Sequence, residues 1–311
     1  MVHEKKIIQI LKGDQMPKIA YIERRFRSDS LNTINTANEI IEEYAEEDLD
    51  LTVRQLYYQF VARGLIPNKQ KEYDRLSQLL SKGRLAGLVD WDAIVDRTRN
   101  LKGLATWNDP GEIIRSCVYS YRIDKWENQP YYIEVWIEKD ALTGIINKIC
   151  NKHQIDYFAC RGYVSQSEMW RAAVRRIKWR LEEGKTCVII HLGDHDPSGI
   201  DMTRDITDRL QLFLDNPDIY VSRIALNMHQ VELYSPPPNP AKISDSRAIK
   251  YINKFGHESW ELDALEPRVI RNLIDAKVSS FKEEDIWEKD LGIEKEQKKI
   301  LKDFANNWED K

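Results

Sequence analysis

TCVIIHLGDHDPSGIDM, residues 186–202, decides how the second half of the chain is read. An apolar run, Val188–Ile190, gives way within a few residues to two aspartates, Asp194 and Asp196, and then to Pro197 and Gly199. An apolar run of this length bounded by turn residues reads as a strand buried on both faces. Acids just past such a strand have two readings. They make an Asx-turn before Pro197 and cap the helix beginning near Ser198, itself a candidate cap, or they hold a cation.

The flanking sequence repeats the pattern. YYIEVWIEK (131–139) is strand-like, ALTGIINKICNKHQ (141–154) helix-like, and QSEMWRAAVRRIKWRLEEG (166–184) a long helix stopped by glycine. SGIDMTRDITDRLQLFL (198–214) reads as a further helix and IYVSRIAL (219–226) as a further strand. Strands alternating with helices imply parallel βαβ units, with chemistry gathered beyond the carboxyl ends of the strands. The first strand also ends in acid, at Glu138 and Asp140. If the two strands are neighbours, Glu138, Asp194 and Asp196 converge, and clustered carboxylates repel unless a cation neutralises them. An all-oxygen set suits Mg²⁺ or Mn²⁺. His191 and His195 have zinc-like spacing, but residues four apart on a strand do not meet as they do on a helix. Gly184-Lys185-Thr186 precedes its strand and lacks the earlier glycine of a phosphate-binding loop.

The first half is helical. Residues 30–46 form an amphipathic helix with Ser30 or Asn32 as candidate caps, and LTVRQLYYQFVARGLI (51–66) a second, with Thr52 as N-cap and Gly64 as stop. A third carries Tyr73, Leu76, Leu79, Leu80 and Leu85 at helical spacing, followed by a short β-compatible VDWDAIVDRTRN. Asp109 and Pro110 open one more helix, expected over 109–124. Between Leu51 and Lys102 there are ten Lys/Arg against five Asp/Glu, in a chain whose net charge is −4. Helices and a hairpin in a locally basic segment are the order of a winged helix-turn-helix module.

With 311 residues, 42% hydrophobic and 32% charged, the chain has room for two domains. We expect boundaries of 1–125 for a helical extension and winged helix, 130–281 for a metal-binding α/β domain, and 282–311 for a charged helical tail, solvated or weakly packed. No apolar stretch spans a bilayer and the N-terminus has no secretory signal, so a cytoplasmic protein with four reduced cysteines is expected.

IEKDALTGII, CRGYVSQSEMW and HLGDHDPSGIDM, in that order, resemble the Toprim domain of the topoisomerase VI A subunit and of its relative, the meiotic double-strand-break transesterase. The family's Arg-x-x-Tyr-Tyr pattern is matched upstream by Arg54, Tyr57 and Tyr58. The matching motifs span roughly residues 50–265, judged by their order along the chain. The resemblance implies an α/β fold, a winged helix followed by a Toprim domain with a mainly parallel sheet. It implies Mg²⁺ or Mn²⁺ on Glu138, Asp194 and Asp196, with Tyr58 as the nucleophile attacking double-stranded DNA. It also implies a homodimer in which Tyr58 meets the other subunit's metal site, a separate ATPase B-type subunit for any strand passage, and association with the nucleoid. Arg54 and Tyr58, spaced i and i+4, share a helix face, where a guanidinium can stabilise a phenolate and a phosphate. Arg84, Arg97 and Arg99 are candidates for backbone phosphates, Arg161 a weaker one. A metal-dependent nuclease or nickase without a covalent intermediate, and a non-cleaving DNA-binding module, remain the competing readings.

Overall fold

The computed structural model describes residues 18–94, 104–215 and 219–308. Three helices open it: α1 (Ser28–Ala45), α2 (Val53–Ala62) and α3 (Gln70–Leu85). Thr52 caps α2 in a reciprocal box with Gln55, satisfying two backbone donors at the helix start. Gly64 stops the chain beyond α2 with φ +67°, a conformation costly for a side-chain-bearing residue. At α1 the cap position is Arg27, with no side-chain cap, so neither Ser30 nor Asn32 serves; both lie inside the helix. Ile34, Ala37, Ile40, Tyr44, Leu56, Phe60, Leu76 and Leu80 meet between these helices, at the i, i+3, i+4 spacing that builds an apolar stripe. After α3 the described chain makes two isolated bridges, Ala86 to Ala20 and Ile94 to Leu51, and the rest of the expected hairpin lies outside the described residues.

Helix α4 (Pro110–Ser120) has Asp109 as its cap and Pro110 at its first position, as expected, but ends four residues early. There follow β1 (Tyr131–Ile137), α5 (Thr143–His153), β2 (Asp156–Ala159) and α6 (Gln166–Arg171). A π-helical turn (Ala172–Ile177) then leads into α7 (Lys178–Glu182), followed by β3 (Thr186–Leu192), α8 (Pro197–Leu214) and β4 (Tyr220–Ala225). Four strands form one parallel sheet in the order β2-β1-β3-β4, with Tyr131 to Ile137 facing Thr186 to Leu192 across its centre. The fold is therefore mixed α/β, a parallel sheet flanked by helices.

Period two assigns the faces. Ile133, Val135, Ile137, Val188, Ile190 and Leu192 point into a core shared with α5 and the C-terminal helices. Trp136, Cys187 and Ile189 point into the opposite one, beneath α6 to α8. Strand β2, DYFA, is short and half exposed at the sheet edge, which hid it from periodicity. Cys150, Cys160 and Cys187 are buried, Cys117 is exposed, and all four are free thiols. No helix among the described residues is long and apolar enough to cross a membrane.

The last elements are α9 (Met228–Tyr234), a two-stranded ribbon of β5 (Asn239–Pro240) and β6 (Glu258–Ser259), α10 (Ala248–Phe255), α11 (Pro267–Ser279) and α12 (Glu284–Trp308). The expectation of a weakly packed tail is overturned. Helix α12 lies on α4, and its Trp287, Asp290, Glu294 and Ala305 are buried. Glu294 accepts from Lys125 at 2.6 Å, a buried pair that ties the segment before β1 to the tail. Alternating charge described only the outer face of this helix.

Candidate functional site

The parallel pairing of β1 with β3 sets the two acidic strand ends side by side. Glu138 donates its backbone N–H to Leu192, in continuation of the ladder, and Glu138 Oε2 accepts from the Asp194 N–H at 2.8 Å. Asp194 Oδ1 accepts from the Leu262 N–H at 2.8 Å, and its Oδ2 lies 3.0 Å from Lys139 Nζ. Asp196 is the N-cap of α8, accepting from the Gly199 N–H at 2.6 Å and from the Ser198 hydroxyl at 3.0 Å. The capping reading is thus correct for Asp196, and Ser198, expected as the cap, is inside the helix. Capping does not withdraw Asp196 from the site, since it engages only one of the two oxygens. The glycine of the motif is required by close approach: a Cβ on Gly199 would sit 2.2 Å from the Asp194 carbonyl oxygen.

Beneath this loop lies Arg223 on β4. Its guanidinium donates to the carbonyls of Gly193, Asp194, Gly199 and Leu226. Burial pulls it down to about 10, against the pull of Glu138, Asp194 and Asp196 in the other direction. Arg223 was not singled out in the sequence; it reads there as one polar residue in a strand.

His195 exchanges two backbone hydrogen bonds with Trp260, at 2.8 and 2.9 Å, and this bridge delivers the segment WELDAL to the cleft. Glu261 and Asp263 thereby join the site. Lys139 Nζ lies 3.0 Å from Glu261 Oε2 and 3.3 Å from Asp263 Oδ1. From the other half of the molecule Arg54, on α2, pairs with Glu261 through Nη2 and with Asp263 through Nε, the latter at 3.0 Å. Burial alone would raise the Glu261 carboxyl, but Lys139 and Arg54 outweigh it and hold it down at about 2. Arg54, Glu138, Lys139, Arg161, Asp194, Asp196, Glu261 and Asp263 all line one open cleft of about 520 Å³.

Tyr58 lies behind Arg54, whose guanidinium carbon is 5.6 Å from the ring centroid. The tyrosine is only 3% exposed, and burial pushes its phenol up to about 12, with Glu261 adding and Arg54 and Lys139 opposing. Tyr57 is engaged otherwise: its hydroxyl donates to Asn68 at 2.9 Å and accepts from the Lys69 N–H. Arg84 donates to the Ile94 carbonyl at 2.5 Å and is half-buried, occupied in holding the segment after α3. Arg97 and Arg99 lie outside the described residues. Arg161 is exposed at the rim and pairs with Asp140 at 2.8 Å.

The two histidines with zinc-like spacing have separate duties. His191 Nδ1 is 2.9 Å from Thr203 Oγ1, while His195 Nδ1 is 2.7 Å from the Tyr251 hydroxyl. Burial, helped by Arg223, pulls His191 down to about 3, whereas an unfolded histidine titrates near 6.5. Its contribution to stability is complete above pH 6.5 and is lost as pH falls toward 3. Between pH 6.5 and 5 this amounts to about 2 kcal/mol. A His191→Gln protein should therefore show a shallower loss of stability over that window in urea titrations; parallel curves would refute it.

Six carboxylates line the cleft (Glu138, Asp140, Asp194, Asp196, Glu261 and Asp263) against four cations (Arg54, Lys139, Arg161 and Lys242), with Arg223 beneath. Burial raises Glu138 above the usual carboxylate range, with Asp194 adding, and raises Asp194 although Lys139 opposes. One oxygen each of Glu138 and Asp196 has no hydrogen bond among the described residues. Donor type and surplus negative charge thus fit a hard divalent cation. Lys139 stands on the third ligand, and no three His, Cys, Asp or Glu side chains among the described residues are grouped as a metal site. Compared with family models, with characterised proteins and with solved structures, the chain finds no match in any of the three.

Proposed function

We propose that the chain is a topoisomerase VI A-like DNA strand-breaking enzyme, a winged helix carrying Tyr58 joined to a Toprim domain carrying the acids. The observation that supports it most is the interdomain ion-pair lattice. Arg54, one turn before Tyr58, binds the same Glu261 and Asp263 that hold Lys139 against Asp194. Motifs about eighty residues and more apart in sequence thus meet in one cleft.

In this reading a DNA phosphate enters the cleft and competes with Glu261 for Arg54, a planar fork suited to phosphate oxygens. Lys139, kept at the mouth by Glu261 and Asp263, faces the same phosphate. Release of Arg54 from its carboxylates leaves it free to favour the phenolate of Tyr58. The Tyr58 oxygen then forms a bond to phosphorus as the bond to the 3′ oxygen breaks. The phenol proton ends on that oxygen, leaving a 3′ hydroxyl and a 5′ phosphotyrosyl link. A divalent cation, on Glu138, Asp194 and Asp196, would neutralise the acids and polarise the phosphate. A homodimer would set two such clefts on the two strands of a duplex. For Tyr58 to serve the other subunit's acids, Arg54 must exchange Glu261 and Asp263 for their counterparts. Strand passage would draw on a separate ATPase subunit.

The 3% exposure of Tyr58 favours a second reading, in which water replaces the tyrosine as nucleophile and the product is an ordinary nick. The experiment is to incubate the protein with Mg²⁺ and 3′-end-labelled duplex, denature in detergent, and compare samples with and without protease. Label that enters the gel only after protease digestion is expected. Shortened label free of protein would replace the transesterase with the nuclease. Retarded but uncut duplex would leave only a binding module.

A further inference from the structure

A second groove follows the acid cleft along the chain. The chain leaves the cleft at Arg161 and Gly162 and enters α6 four residues later. There Gln166, Ser167, Trp170, Arg171, Arg175 and Phe213 line an open groove of about 500 Å³. The lining contains two guanidiniums and two aromatic rings, and no carboxylate.

Trp170 is 41% exposed, and the Arg175 guanidinium stands 5.6 Å from its ring centroid. Every other arginine of α6, α7, α8 and the π-helical turn is paired: Arg171 with Glu168, Arg176 with Glu134, Arg180 with Asp124 and Glu127, Arg204 with Asp201 and Asp208, Arg209 with Asp205. Arg175 alone among them has no carboxylate partner among the described residues. The indole therefore offers an open ring face to solvent beside a guanidinium that no carboxylate among the described residues neutralises. Its complement is a flat π-face attached to an anion, which is an unpaired nucleotide.

We infer that this groove binds single-stranded nucleic acid, an unpaired base stacking on Trp170 while its phosphate meets Arg175. A base within a duplex has no face to offer, so the groove selects a strand already parted from its complement. Gln166 of this groove comes four residues after Gly162 of the acid cleft, a stretch short enough for one strand to touch both. The inference extends the DNA-breaking reading but is measured without cleavage.

Fluorescein-labelled dT15 is titrated with the full chain in EDTA, with fluorescence anisotropy as readout and salt varied. Trp170→Ala is expected to weaken binding about 10-fold, and Trp170→Phe to recover most of that loss. Arg175→Ala should weaken binding and reduce the slope of log K against log salt by about 0.7. The same titration with rU15 tells DNA from RNA. Binding of dT15 unchanged in both Trp170→Ala and Arg175→Ala overturns the proposal. So does a self-association, seen by sedimentation, that Trp170→Ala abolishes while dT15 binding stays intact; the groove would then face a second copy. The titration is run in EDTA and reads binding alone, so a failure of DNA cleavage and a failure of this groove are told apart.

Discussion

Tyr58→Phe is expected to abolish protein attached to DNA ends, and Asp194→Asn to slow strand breakage about 10³-fold, with both proteins folded. The two substitutions remove different things. No hydrogen bond to the Tyr58 hydroxyl occurs among the described residues, so phenylalanine leaves the packing of α2 intact and deletes only the nucleophilic oxygen. At position 194 asparagine keeps an oxygen for the Leu262 N–H but drops the charge that faces Lys139. Preorganised charge at a phosphoryl-transfer site supplies several kcal/mol of transition-state stabilisation, and each 1.4 kcal/mol is about tenfold in rate. Melting temperatures within about 2 °C of the parent would show that folding is not the cause. Breakage that survives Tyr58→Phe at full rate, yet falls in Asp194→Asn, moves the nucleophile from tyrosine to water. Breakage indifferent to Asp194→Asn removes the acid cleft from the chemistry altogether.

The sheet was legible because its central strands are buried on both faces, which leaves runs such as Val188–Ile190 with no polar interruption. Caps and stops were legible where one side chain decides them, as at Thr52, Asp109 and Gly64. The edge strand Asp156–Ala159 was not, because a short strand half exposed to solvent has neither a long apolar run nor clean alternation. The tail misled for a related reason: Trp287, Asp290 and Glu294 mark its buried face, but acids are read as solvated until a partner such as Lys125 is seen.

The acid cleft divides the same way. Glu138, Asp194 and Asp196 follow apolar strands, so parallel pairing alone brings them together. Lys139 comes with Glu138 at the end of β1, but Glu261 and Asp263 depend on a tertiary event, the bridge between His195 and Trp260, that no local pattern announces. The signal was present in WELDAL, two acids alternating with buried residues, yet alternation cannot say which sheet edge the segment joins. Their recruitment also alters the role of Arg54. It is at once the neighbour of a candidate nucleophile and one of several clasps between the two halves of the chain.

Arg223→Met is expected to lower unfolding free energy by about 3–5 kcal/mol, the cost of breaking a buried charged network by removing one partner. Methionine fills the space of the arginine stem but donates nothing, leaving the carbonyls of Gly193, Asp194, Gly199 and Leu226 without their guanidinium. It also withdraws the one cation beneath Glu138, Asp194 and Asp196, so the carboxylates repel with less compensation. At about 2–4 °C per kcal/mol for a chain of this order, the melting temperature should fall by roughly 6–20 °C. Arg223→Lys keeps the charge but cannot fork to several carbonyls, and should fall between the two. Urea titration of the three proteins without divalent ions measures this directly. A loss below about 1 kcal/mol for Arg223→Met would mean that the loop of acids stands without its buried cation, and that its geometry is set by the capped helix and the strand ladder alone.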